Sequence, residues 1–244
     1  MSCFITTETL AFQEFRNRLP KEKQDKVAFL LHTQPMDENG TDLRRLVRHL
    51  MPECNIVFSQ DKLTSKKLNQ MYNVADVTIN IASNEGFGLG TAESLISGTP
   101  IIVNITGGLQ DHCGFAIDGK YLTKNDYKKI KSLHDWRMWE NNEDLTHGEW
   151  VKPVWPRTRA LQGSIPTPYI FDDRADWIDV ADNIEDWFNT PAEERERVGE
   201  LGRQYAYLDE VGFTAENMCG RFMKDMDKAF KVWTPRKRYE IIGV

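Results

Sequence analysis

Two glutamates, Glu85 and Glu93, bracket a turn that carries Gly86, Gly88 and Gly90. Glycines at this spacing permit positive φ and close backbone approach, and they leave bare N–H groups where a helix begins. Such a helix start is a seat for a diphosphate, because unpaired N–H groups and the helix dipole both favour negative charge. The acids call for a different partner. Glu85 stands at the end of a strand-like run, where its carboxylate faces any crevice above the sheet. Glu93, four residues after Leu89 and three before Ile96, falls beside the apolar stripe of the following helix. A carboxylate buried there needs hydrogen-bond donors, and vicinal sugar hydroxyls would supply them.

Each feature has a plainer explanation when taken singly. A glycine-rich turn is common in α/β proteins, Glu93 could pair with a nearby Lys or Arg, and Glu85 could cap the helix. A dinucleotide fingerprint fits poorly, since Gly86-x-Gly88-x-x-Thr91 lacks the third glycine and follows a late strand. A P-loop is excluded by the absence of Gly-Lys-Ser/Thr. Asp225-Met-Asp227 has the spacing of metal-dependent sugar transferases, yet it sits in an amphipathic helical run and reads as a solvated face.

The elements that must position these residues are legible in outline. Strand-like runs at 27–32, 55–58, 77–82 and 101–105 alternate with helical patterns near 5–18, 41–50, 64–74 and 89–97. Strands apolar on both faces, alternating with helices, predict βαβ units and a doubly wound, Rossmann-like parallel sheet of the α/β class. Residues 112–170 break the pattern with six Trp or Tyr between Tyr121 and Trp155 and prolines at 153, 156, 166 and 168. They predict a long irregular insertion with one helix around 124–140, either packed by its own aromatics or serving as a lid or partner surface. From 174 to 232 the pattern is helical again, with Thr190-Pro191 starting a capped helix. The reading is a single domain over 1–244.

Composition narrows the function classes. At 244 residues, 40% hydrophobic and 28% charged, the chain is ordinary for a globular protein with a real core. A formal charge of −6 argues against a general nucleic-acid binder. No apolar run reaches the length of a membrane span, and no export signal is visible. Cys3, Cys54, Cys113 and Cys219 are scattered without C-x-x-C spacing, which suits reduced thiols in a cytoplasmic protein and makes zinc a poor fit.

Taken together, Ala75-Asp76, Ser83, Glu85-Gly86-Phe87-Gly88-Leu89, Glu93, Gly98-Thr99-Pro100 and Gly107-Gly108 resemble the donor-binding domain of retaining GT-B-fold glycosyltransferases of the Glu-x7-Glu family. The likeness is fullest over 72–111, extends back to about residue 25, and after 112 rests on the helical layout alone. The resemblance implies one Rossmann-like half of a GT-B fold and transfer of a sugar, with retained configuration, from a nucleoside-diphosphate donor. It implies neither metal nor other cofactor. By position, Glu85 would be the catalytic residue, contacting the donor sugar hydroxyls near the reacting carbon, and Glu93 would hold the ribose hydroxyls. The backbone of Gly86, Phe87, Gly88 and Leu89 would hold the diphosphate. The base would lie near residues 59–63. Thr106, Gly107 and Gly108 would line the same crevice.

Two departures from the family pattern stand out. No counterpart of an acceptor-binding half is visible, so the reading is of a fragment, a truncated gene product or one subunit of a split enzyme whose acceptor half is a partner protein, the acceptor being a glycan, protein or small molecule. The Arg and Lys that neutralise the diphosphate also lack counterparts in residues 2–12, with Lys62 as the substitute candidate. Two alternatives therefore stay open: a non-catalytic nucleotide-sugar-binding or structural module, and another GT-B-fold enzyme such as a nucleotide-sugar epimerase or a phosphorylase.

Overall fold

The computed structural model describes residues 2–36, 41–127, 138–163 and 169–236. In chain order these form α1 (Ser2–Arg18), α2 (Lys21–Gln24), β1 (Phe29–His32), α3 (Leu43–Leu50), β2 (Ile56–Ser59), α4 (Ser65–Val74), β3 (Thr78–Asn80), α5 (Leu89–Ile96) and β4 (Ile101–Asn104). A 3-10 helix (Gly107–His112) leads to β5 (Ala116–Ile117), β6 (Lys120–Tyr121), α6 (Lys124–Tyr127), β7 (Leu145–Thr146), β8 (Val151–Val154), β9 (Thr158–Gln162) and β10 (Ile170–Arg174). Three helices close the described chain: α7 (Trp177–Asn189), α8 (Ala192–Tyr207) and α9 (Ala215–Val232).

β1 and β2 pair in parallel, and β3, β4 and β8 form a second parallel set with β4 in the middle. All four residues of β4 are buried, and they alternate between two cores. Ile102 joins Phe12, Phe15, Ile81, Val154, Val180 and Trp187 beneath α1 and α7. Ile101 and Val103 join Leu95, Leu109, Trp150 and Tyr205 beneath α5 and α8. Helices on both faces of a parallel sheet make the doubly wound α/β architecture that the apolar runs predict.

The described parts of residues 112–170 are more ordered than their composition suggests. Val151-Lys152-Pro153-Val154 is a strand of the parallel sheet, in register with residues 101–104. A proline is tolerated because, among the described residues, β8 pairs only with β4, so a missing N–H on the far side costs no ladder bond. β5, β6 and β7 form a small antiparallel sheet, and β9 and β10 an antiparallel hairpin. Trp150 is turned inward, donating its indole N–H to His112 O at 3.0 Å and lying against Gly114, Gly148 and Gly202. The helix expected around 124–140 begins as α6, and 128–137 lie outside the described residues.

The start of α8 also differs from its expected form. Pro191 is the residue before the first turn and gives no side-chain cap, while the Thr190 hydroxyl turns back to Asp186 O at 2.7 Å and closes α7. α9 has no buried residue and exposes Met218, Phe222, Met223 and Phe230. Asp225 and Asp227 stand on this exposed helix. Of the cysteines, Cys113 is buried, Cys54 half-buried and Cys219 exposed.

Candidate functional site

β3 ends at Asn80, and the chain then turns over the carboxyl edge of the sheet before entering α5. Gly88, at φ 88°, is the residue before the helix and brings no side-chain cap. A Cβ there would lie 2.6 Å from Leu109 Cδ2, so only glycine fits both the backbone angle and the space. The first helical N–H groups fold back tightly, Thr91 and Ala92 both donating to Gly88 O at 3.0 Å. The N–H groups of Gly86, Phe87, Gly88, Leu89 and Gly90 have no acceptor among the described residues. Five consecutive N–H groups at a helix start are thus unpaired among the described residues, where the glycine spacing suggests an anion seat.

The turn after β4 packs directly onto this one. Gly108 N donates to Glu85 O at 2.9 Å, a Cβ on Gly107 would meet Glu85 O at 2.0 Å, and one on Gly108 would meet Gly86 O at 2.4 Å. The two glycine turns are thus brought together, with Glu85, Gly86 and Phe87 against Gly107 and Gly108. Around Gly86 there is open space. The Glu85 carboxylate is half-buried and has no hydrogen-bond partner among the described residues. Glu85 does not cap α5.

Three candidate residues sit differently from their expected positions. Glu93 is exposed and shares the outer face of α5 with Leu89, which is 71% exposed. The buried face is Thr91, Ala92, Ser94 and Leu95, so the stripe runs one position off from the one taken through Leu89 and Ile96. Burial therefore does not force a partner on Glu93. One is present nonetheless: Tyr72 of α4 donates its hydroxyl to the Glu93 carboxylate at 3.0 Å. Burial pushes the Tyr72 phenol up, and the charge of Glu93 pushes it further, so it stays a donor at neutral pH. Thr106 is buried below the crevice, where its hydroxyl donates to Asp173 at 2.9 Å. Lys62 is exposed on the loop after β2 without a partner among the described residues.

The structure adds residues that the sequence reading missed. Glu8, on α1, is 8% exposed, and its carboxylate accepts from Ile81 N at 3.2 Å, just past the end of β3. Burial raises its pKa from 4.5 to about 7, against the opposing pull of that N–H. His112 lies fully buried under the glycine turn, edge-on to Phe87 and beside Phe213 at centroid distances of 5.2 and 4.7 Å. Neither of its ring nitrogens has a hydrogen-bond partner among the described residues, and burial lowers its pKa to about 4. From β10, Asp172 accepts from Asn84 Nδ2 at 2.7 Å, and Asp173 N donates to Ser83 O at 3.0 Å. No spacing in the sequence points to these contacts.

Two shallow grooves lie elsewhere, one lined by Ile96, Tyr207, Phe213 and Thr214, the other by Asn69, Ser97, Glu196 and Arg203. Both lie at the far end of α5 and include none of the unpaired groups of the turn. Among the described residues no cluster of three His, Cys, Asp or Glu side chains could hold a metal ion. No helix among them is long and apolar enough to cross a membrane.

No protein-family model matches the chain, and no curated protein does. Solved structures do match. Sucrose-phosphate synthase from Thermosynechococcus elongatus superposes with a TM-score of 0.58 at 17% identity, covering 93% of this chain and 43% of that one. An alpha,alpha-trehalose 6-phosphate synthase from Burkholderia multivorans does so at 0.53 and 11%, covering 96% of this chain and 42% of that one. The chain thus spans less than half the length of either. At these identities the likeness is one of fold: the chain has the architecture of one Rossmann-like half of a GT-B glycosyltransferase.

Proposed function

We propose that this chain is the donor-binding half of a glycosyltransferase that takes a nucleoside-diphosphate sugar and transfers the sugar with retained configuration. The observation that carries this reading is the run of five N–H groups from Gly86 to Gly90, next to the Glu85 carboxylate, all unpaired among the described residues. Donors fixed in this way hold a diphosphate and stabilise the charge that grows on it as the sugar leaves, without reorganising during the reaction. Glu85 would receive the hydroxyls of the transferring sugar. Glu93, held by Tyr72, would accept from the ribose hydroxyls, and residues 59–63 with Lys62 would face the base and diphosphate. The carboxyl edge of the sheet is where doubly wound folds bind nucleotides. In this reading neither a metal nor a further cofactor takes part, and the acceptor site belongs to a second domain or partner protein.

Calorimetric titration with UDP, GDP and ADP and with UDP-glucose, GDP-mannose and ADP-glucose tests the reading. The expected result is selective binding of one base, weakened about tenfold or more in Glu93→Ala, since a hydrogen bond to a charged group is worth about 1.5–3 kcal/mol. Absence of binding to all six, in the full chain and with an acceptor-half partner, would refute it.

A further inference from the structure

The β9–β10 hairpin sits some seventy residues downstream of the glycine turn, yet its base is built into that turn. Asp173 is 5% exposed and binds at three levels. Its backbone N–H donates to Ser83 O at 3.0 Å, its carbonyl accepts from Asn104 Nδ2 at 2.7 Å, and its carboxylate accepts from Thr106 Oγ1 at 2.9 Å. Arg159, across the hairpin, grips the same carboxylate through Nε at 2.5 Å and Nη2 at 3.0 Å. The neighbouring Asp172 accepts from Asn84 at 2.7 Å. Asn104 also donates to Ala82 O at 3.0 Å, so β3, β4 and β10 are tied at one point immediately below Glu85.

We propose that this hairpin is a positioning element of the candidate donor site: Asp173, locked by Arg159, holds the Ser83–Asn84 segment and so fixes where the Glu85 carboxylate stands. The bidentate Arg159–Asp173 pair is suited to this role, because a planar fork on a carboxylate constrains orientation as well as distance. The pair is also mostly withdrawn from water, with side-chain exposures of 19% and 7%, so salt screens it little. Asp173 makes no hydrogen bond to residues 86–90 among the described residues and reaches them only indirectly, through Thr106 and the glycine turn at 107–108. Its effect should therefore fall more on Glu85 and the sugar than on the diphosphate.

The assignment of sugar and nucleotide rests on the donor-site reading, so the test has two arms. In the first, the free nucleotide and its sugar conjugate are titrated into wild type, Glu85→Ala, Asp173→Asn and the milder Asn84→Ala. Both clamp variants are expected to lose about tenfold of the preference for the conjugate, as Glu85→Ala does, while binding the free nucleotide within about twofold of wild type. Arg159→Lys, which keeps the charge but loses the fork, should retain part of the preference. Equal weakening of both ligands, or no change in either, would overturn the proposal.

In the second arm, amide hydrogen exchange is followed without ligand. Gly108, whose N–H is held by Glu85 O, should exchange about tenfold or more faster in Asp173→Asn, while Ile102 and Val103 in β4 keep their protection. Unchanged exchange at Gly108 would overturn the clamp. If wild type binds no nucleotide, alone and with an acceptor-half partner, the donor reading fails and this arm alone decides the clamp.

Discussion

Glu8 and His112 should give the folded protein two opposed pH dependences. Burial raises the Glu8 carboxyl from 4.5 to about 7, so its stability contribution is full below pH 4.5 and is lost as pH rises to about 7. Burial lowers His112 from 6.5 to about 4, so its contribution is present above pH 6.5 and is lost as pH falls toward 4. Either displacement amounts to about 3 kcal/mol of stability. Between about pH 4.5 and 6.5 the folded chain holds the proton on Glu8 and the unfolded chain holds it on His112. The two states then bind equal numbers of protons at these sites, and the slopes cancel.

Single substitutions should uncover each slope. Glu8→Gln keeps an oxygen for Ile81 N and removes the titration. Its stability relative to wild type should climb by about 3 kcal/mol between pH 4.5 and 7 and level off on either side. His112→Phe should do the reverse, gaining on wild type by a similar amount as pH falls from 6.5 to 4. Urea unfolding of the three proteins across this range reads the differences directly, through midpoints at constant slope. The difference between variant and wild type is the diagnostic, because surface groups contribute equally to both. A Glu8→Gln profile that runs parallel to wild type over the whole range would refute the argument that Glu8 is desolvated against β3.

The contact between the two glycine turns should separate Gly107 from Gly86. Gly107→Ala places a Cβ 2.0 Å from Glu85 O at a φ of +48°, and should cost several kcal/mol in urea unfolding, whereas Gly86→Ala meets nothing within 4 Å and should leave stability unchanged. Trp150→Ala removes the ring on which Gly114, Gly148 and Gly202 rest, and a loss of about 3–5 kcal/mol is expected in the same assay. Phe213→Ala should uncover His112, moving its pKa from about 4 up toward 6.5, as followed by the imidazole proton resonances. A titration that stays at its wild-type position would show that other groups keep His112 dry.

The parallel strands were legible because β1 through β4 are short apolar runs separated by helical periods, although only β4 is buried on both faces. β8 was hidden for a local reason: its four residues include a proline and a lysine, and only an edge position makes that composition acceptable. The outward face of α5 was misread because the helix starts after Gly88, where Leu89 lacks neighbours to bury it. One misplaced apolar residue turned the whole stripe. Glu8 reads in sequence as an ordinary helical acid, and only the docking of α1 against the end of β3 makes it unusual. Asp173 and Arg159 depend on the pairing of a hairpin with a turn far upstream, and no local period encodes that contact.

The turn also shows where hydrogen-bonding capacity has been left open. Below it many polar groups are matched: Asn80 donates to Thr91, Asn104 to Ala82 O and Asp173 O, Thr106 to Asp173, and Asp173 N to Ser83 O, while Ser83 Oγ, Asn104 Oδ1 and the His112 ring nitrogens are buried without a partner among the described residues. Above it, five backbone donors and the Glu85 carboxylate are unmatched among the described residues, on a segment that this floor holds in place. Folding stability alone gives no reason to fix donors so firmly and leave them unused, because water would satisfy them equally well on a loose loop. Rigid, unsatisfied donors beside a carboxylate are what a site needs when its ligand brings both negative charge and hydroxyls. A nucleoside-diphosphate sugar carries both on one molecule, and the physical argument for it does not depend on the likeness of fold.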